Sequence, residues 1–181
     1  MDDERQSHRS PATPRADAAD VRRAEPGELR LLPAVELAAD ALFARAGVAL
    51  PEQLTDVAEL EAAACVLVTG RPPVGFARLD VLDGNAHLEQ VSVHPGHVRR
   101  GLGTALLGAA VAWARARGFP ALTLTTFEDV AWNAPWYRRH GFTDLQHPGP
   151  ELLEQRRAEV RAGLDGAGRR VVLHLPLHPG A

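Results

Sequence analysis

A strand that ends in an Arg/Gly-rich turn and re-enters as a helix constrains this chain more than any other segment. Residues 98–107 read Val-Arg-Arg-Gly-Leu-Gly-Thr-Ala-Leu-Leu. An apolar strand pattern over 87–93 and the turn residues His94, Pro95 and Gly96 precede them, and an Ala/Leu-rich amphipathic run follows to about Arg117, where Gly118 stops it. Glycine lets the backbone approach a ligand closely, and a helix N-terminus offers orphan N–H donors at the positive end of its dipole. The segment therefore reads as an anion cradle suited to a diphosphate. A Walker-type loop needs Gly-Lys-Ser/Thr, and the chain contains no lysine, which excludes that class. A dinucleotide fingerprint would put its third glycine at Leu106 and an acidic ribose partner near residues 122–126, which are neutral.

Downstream of the cradle lie a strand pattern over 121–126 and the sequence Trp132-Asn133-Ala134-Pro135-Trp136-Tyr137-Arg138-Arg139-His140-Gly141-Phe142. Together these resemble motifs A and B of the GNAT N-acetyltransferase superfamily, the first with a family pattern of Gln/Arg-x-x-Gly-x-Gly/Ala after a bulged strand, here Val98-Arg99-Arg100-Gly101-Leu102-Gly103, and the second ending in Tyr-x-x-x-Gly-Phe. The strong match runs over roughly residues 75–142. The resemblance implies an α/β fold: a central mixed, mostly antiparallel twisted sheet of about seven strands, flanked by helices, with two central parallel strands splayed apart. It also implies an enzyme that moves an acetyl group from acetyl-CoA, as co-substrate, to a primary amine by direct attack in a ternary complex. The alternative is a non-catalytic acyl-CoA-binding or sensing module on the same fold.

Under the resemblance the main chain of Arg99, Arg100, Gly101, Leu102, Gly103 and Thr104 would hold the pyrophosphate, with the two guanidiniums neutralising its outer oxygens. A solvated arginine pair is the bland alternative. The pantetheine arm would pair with backbone near Val91, Ser92 and Val93. Tyr137, the single tyrosine, stands where the family has its thiolate-protonating residue, or is a core aromatic. Asn133 resembles the asparagine that helps hold coenzyme A, though it lies closer to the tyrosine than the common spacing, and it equally suits a helix N-cap before Pro135. Glu89 is the leading candidate for general base, directly or through water, against a solvent-facing acid. His87 is the second candidate, at a hairpin end where histidines are usually exposed. Glu128 and Asp129 offer paired acids for a cationic amine, or are ordinary loop charges.

Composition sets the remaining bounds. With 181 residues, 45% of them hydrophobic, the chain matches one domain with a real core, expected over 20–181 after a disordered Pro/Asp/Arg leader over 1–19. A net charge of -3 with scattered arginine suggests no nucleic-acid partner, and no window approaches the length of a membrane span; a small-molecule or peptide amine as partner is what the resemblance implies. Homodimers are common in the family. The charged, polar N-terminus lacks a signal-type apolar core, which reads as a cytoplasmic protein. Cys65 has no disulfide partner and reads as a small buried hydrophobe, not a nucleophile. His94 and His97 have a metal-like interval but no third ligand beside them, so no metal is expected. Further strands are expected over 21–24, 64–69, 74–82, from Phe142 and over 169–175, with one helix led into by residues 26–29, apolar from Leu31 and ended by Gly47, and others over 51–62 and over 151–164. The order is β-α-α-β-β-β-α-β-α-β-α-β.

Overall fold

The structure is a computed structural model and describes residues 20–51 and 55–177. The expected leader lies outside the described residues, as does part of the helix expected over 51–62. Strand β1 (Val21–Arg23) leads into a 3-10 turn over Pro26–Leu31. The Arg22 guanidinium clamps the two together with a pair of 2.6 Å hydrogen bonds to the Glu28 carboxylate. Helix α1 (Leu32–Arg45) begins only after that turn, at the place where the sequence leads into a helix. Pro33 is the physical reason. It lacks an N–H and its ring opposes a carbonyl four residues back, so it fits the first turn of a helix and not its interior.

Helix α2 (Val57–Ala62) is followed by β2 (Cys65–Thr69), β3 (Gly75–Leu82) and β4 (Asn85–Val93). Helix α3 (Leu102–Ala116), β5 (Ala121–Phe127), α4 (Ala134–Arg139) and the two-residue β6 (Thr143–Asp144) come next. The chain closes with α5 (Pro150–Arg161), a single turn α6 (Leu164–Ala167) and β7 (Arg170–Pro176). The seven strands form one mixed sheet in the order β1-β2-β3-β4-β5-β7-β6, antiparallel except between β4 and β5. The expected sheet is thus present.

Both faces of the sheet are covered, which explains why all five residues of β2 are buried. On one face Cys65, Leu67, Ala77 and Leu79 pack with the α3 stripe Leu106, Leu107, Ala110 and Ala114. On the other, Val66, Val68 and Phe76 pack with Leu29, Leu32, Val35 and Leu60 from the N-terminal segments. Alternation along β2 and β3 sends successive side chains to opposite cores. Cys65 is buried as expected.

The sheet departs from regularity at one place. Arg78 pairs with Gln90 but Leu79 pairs with Leu88, so Glu89 is an extra residue in β4, a β-bulge. The parallel pairing of β4 with β5 covers only Ala86 with Leu122 and His87 with Thr123. Beyond His87 the two strands part.

The β3–β4 hairpin also fixes α5. Asp83 and Gly84, with φ of 51° and 71°, form the turn. The Asp83 carboxylate accepts from the N–H groups of Glu151 and Leu152, each at 3.0 Å, while the Glu151 carboxylate accepts from the Asp83 N–H. The N-cap of α5 is Gly149, which has no side chain to offer, and a Cβ there would collide with the Asp83 carboxyl group. The cap is supplied from 66 residues away in sequence, and only glycine leaves room for it. Replacing Asp83 by Ala should cost about 1–2 kcal/mol for the lost cap. Urea denaturation with an unchanged slope is the check.

Candidate active site

The part of β4 beyond the bulge is bordered by open space. Strand residues present their N–H and C=O to alternate sides. The His94 N–H donates to the Val74 carbonyl at 2.8 Å, so Ser92 also turns toward β3, while Val91 and Val93 direct their backbone groups into the gap left by β5. These are unpaired strand edges of the kind an extended, amide-bearing ligand can join.

At the end of that edge stands the expected cradle. Gly101 occupies the N-cap of α3 with φ of 77°, a left-handed conformation that favours glycine, and Arg99 just before it has φ of 62°. No side chain caps this helix. Its first bond runs from the Ala105 N–H to the Gly101 carbonyl at 2.9 Å, so the N–H groups of Leu102, Gly103 and Thr104 lack intrahelical partners. No protein atom lies within 4 Å of where a Gly101 Cβ would be. The residues fit a diphosphate.

A cavity of about 630 Å³ joins the two features; Val91, Ser92, Val93, Arg99, Gly101, Leu102, Gly103 and Thr104 all line it, together with Asn133 and Tyr137. Arg100 does not line it and is exposed. The arginine pair is therefore split, because the left-handed turn at Arg99 directs successive side chains apart. A second cavity of about 520 Å³ lies across the parted strands and is lined by Glu36, Glu89, Gln90, Gln155 and Arg170 among others. Asp40, Phe43, Val91, Ser92, Asn133 and Tyr137 line both cavities and mark their junction.

Tyr137 is packed edge-on against Trp136 and Phe142. Burial pushes its phenol well above the usual range, so the hydroxyl stays protonated and can donate. The core-aromatic reading of Tyr137 holds, and the same residue also borders both cavities. Asn133 is the N-cap of α4, with Pro135 in the first turn as expected, but its side chain makes no capping bond and instead lines the cavity junction. The Ser92 hydroxyl accepts from Gln90 Nε2 at 3.1 Å.

Glu89 projects from the bulge into the second cavity, where both carboxylate oxygens accept from Gln155 Nε2, at 2.9 and 3.0 Å. Burial pushes its carboxyl up, but the neighbouring His87 imidazole, with Arg78 and Arg170, outweighs that and holds it below the ordinary value. His87 is not the exposed hairpin residue expected from sequence. It is fully buried, with Nδ1 2.9 Å from Thr123 Oγ1 and Nε2 3.4 Å from Glu89 Oε2, and it lines neither cavity. Its place on the last parallel rung, between β3 and β5, explains the burial. Glu128 is tied to Arg169 at 2.8 Å, which favours the loop-charge reading for that residue.

Sequence reasoning missed the contribution of α1. Glu36, Asp40 and Phe43 lie one turn apart and share the helix face that looks over the gap. An acidic pair inside an otherwise apolar helical stretch was the available signal.

Solved structures share this architecture. The ribosomal-protein-S18-alanine N-acetyltransferase from Escherichia coli is 19% identical with a TM-score of 0.62, over 89% of this chain and 95% of that one. PaiA N-acetyltransferase from Thermoplasma acidophilum, in complex with coenzyme A, is 13% identical with a TM-score of 0.63, over 87% and 98%. YncA from Salmonella typhimurium, with its cofactor acetyl-CoA, is 18% identical with a TM-score of 0.62, over 91% and 97%. These likenesses establish the fold. The model of the acetyltransferase (GNAT) family matches residues 34–142, a span that holds the bulged strand, the cradle and Tyr137, and the chain belongs to that family.

Proposed function

We propose that the protein transfers the acetyl group of acetyl-CoA to a primary amine by direct attack in a ternary complex. The observation that carries this reading is the junction itself. A diphosphate cradle and an open strand edge lead from one side, a polar cavity leads from the other, and Tyr137 stands where they meet. Acetyl-CoA supplies an activated acyl carbon and a thiolate leaving group. The residues that would hold it are the backbone of Leu102, Gly103 and Thr104, the Arg99 guanidinium, and the free edges of Val91 and Val93. Asn133 adds an amide at the junction.

Attack by the amine nitrogen forms a C–N bond at the thioester carbon and breaks the C–S bond. The Tyr137 hydroxyl gives its proton to the departing sulfur and recovers one from solvent. The nitrogen must also lose a proton. Glu89 reaches the amine through water, since Gln155 holds both of its oxygens, and its ionised form adds negative potential to the acceptor cavity. Among the described residues no cysteine or serine lines the junction as a nucleophile except Ser92, whose hydroxyl is engaged by Gln90. That supports direct transfer over an acyl-enzyme.

Free coenzyme A release, measured with purified protein, acetyl-CoA and a panel of amines, tests the reading. Turnover on at least one amine class is expected, and tight binding with no turnover on any would favour a non-catalytic acyl-CoA module. Tyr137→Phe should lower kcat by more than about tenfold with acetyl-CoA affinity nearly intact, the pattern of a lost proton donor. Unchanged kcat would remove Tyr137 from the mechanism. Gly101→Val forces a β-branched residue into left-handed backbone, at about 1–2 kcal/mol, and puts a side chain where the anion approaches. Calorimetry should find acetyl-CoA binding lost, and retained affinity would overturn the cradle.

A further inference from the structure

The junction holds two ionisable side chains, Tyr137 and Asp40, one from each side of the gap. Tyr137 has its task in protonating the sulfur. Asp40, on α1, has none in the reading above, and nothing in the sequence motifs marks it.

Every other carboxylate that lines the acceptor cavity is engaged. The Glu36 oxygens accept from the backbone N–H and the hydroxyl of Thr55, each at 3.0 Å. Glu59 pairs with Arg78 at 3.1 Å, and Glu159 with Arg170 at 2.7 Å. Glu89 is held by Gln155. Asp40 has no hydrogen-bond or ion-pair partner among the described residues, and it borders both the acceptor and the cofactor cavity. A half-buried carboxylate without a partner costs free energy, which a cation arriving in the cavity would offset.

We infer that Asp40 is the counter-ion of the acceptor's ammonium group and takes its proton, so that the substrate is an aliphatic amine that arrives as a cation. The inference rests on the acetyl-transfer reading for its second half, the proton transfer, and not for its first, the ammonium site. One N–H bond of the ammonium breaks and one O–H bond forms on Asp40 before attack; the neutral nitrogen then attacks, its second proton leaves through water to Glu89, and both carboxylic acids return their protons to solvent. Burial and the Glu36 carboxylate one turn away push the Asp40 carboxyl up to about 6, which raises its proton affinity on the order of a hundredfold over an ordinary aspartate. An aromatic amine, uncharged at neutral pH, would gain nothing from this carboxylate.

The charged groups that face Asp40 across the acceptor cavity are the paired Glu59 and Arg78, Glu89, and the paired Glu159 and Arg170. On the cofactor side it shares the cavity with Arg45, His97 and Arg99. None of these lies on its own helix except Arg45, and Glu36 is its nearest acidic neighbour.

The test uses Asp40→Asn and Asp40→Glu in the full chain. With the best aliphatic amine of the panel, Asp40→Asn should lower kcat/KM by more than about a hundredfold, the scale of a lost base. The acid limb of its pH profile, expected to inflect near 6 in the wild type, should vanish. Asp40→Glu should restore part of the rate, and arylamines should be poor substrates for all three proteins. Acetyl-CoA affinity should stay within about twofold, because the cradle is untouched. The stability sign is also fixed. An acid whose folded pKa is raised is most favourable to folding below its unfolded pKa, and that advantage is lost as pH rises through about 6. At neutral pH, Asp40→Asn should therefore unfold at the same temperature as wild type or higher. A fall in melting temperature that tracks the loss of rate would make Asp40 structural and overturn the proposal.

Binding separates this inference from the activity it builds on. Titration of n-butylammonium into the protein–coenzyme A complex should show binding to wild type that Asp40→Asn abolishes. Such binding without turnover on any amine would refute acetyl transfer while supporting the ammonium site. Equal binding to both proteins, or none to wild type, overturns the site.

Discussion

One extra residue in one strand organises this molecule. Glu89 interrupts the register of β4 against β3, and the parallel pairing of β4 with β5 ends two residues earlier at His87 and Thr123. A sheet interior normally satisfies every backbone N–H and C=O with a neighbouring strand. Here the strand keeps its β3 partner on one side while Val91 and Val93 are left with open edges on the other. The gap connects what would otherwise be two separate faces of the protein, and both cavities exist because of it.

Each end of the gap is held by polar bonds rather than by apolar packing alone. At the closed end, His87 is buried on the last shared rung and bonded to Thr123. On the acceptor side, Glu159 of α5 gathers Arg156, Arg170 and Thr125, which ties that helix across β5 and β7. Gln155, one turn earlier on the same helix, then reaches back to Glu89 on β4. The distant cap from Asp83 fixes where α5 begins and so where Gln155 can reach. Position along the chain thus becomes geometry at the bulge: a hairpin turn sets a helix start, and the helix sets a carboxylate.

The cradle and the motif around Tyr137 were legible because their chemistry is local. A positive-φ glycine at a helix start, an arginine before it and an unpartnered first turn are all written within six residues. The strand and helix order was legible for a similar reason, through apolar periodicity. What escaped depends on contacts between segments far apart in sequence. His87 looks like a hairpin-end residue until β5, 36 residues on, is placed beside it. Arg99 and Arg100 look equivalent in the sequence and both are exposed, but with the left-handed backbone at Arg99 only the first lines the cavity. The role of α1 as a wall of the gap showed in the sequence only as an acidic pair, Glu36 and Asp40, in an apolar helical stretch, and those positions meet the gap only after the sheet has folded.

A net charge of -3 conceals a sharp division of potential. The cofactor side presents the positive end of α3 and the Arg99 guanidinium, and the acceptor side presents carboxylates from α1, α2, β4 and α5. Two arginines on the acceptor side, Arg78 and Arg170, do not cancel this, because each is paired with a glutamate of its own. Fixed charges of opposite sign on the two sides of a narrow junction favour an anion at one mouth and a cation at the other. They also meet at a point where an acid with a raised pKa faces a phenol that stays protonated. Keeping Asp40 half-buried and unpaired works against folding, so its position is better explained by a group that comes and goes than by the resting structure. Under the proposed transfer, the electrostatics that attract a cationic amine would hold its neutral amide product less tightly. Acetylation of such an amine would remove its positive charge and with it the attraction that drew it in, which would bias the proposed site toward product release.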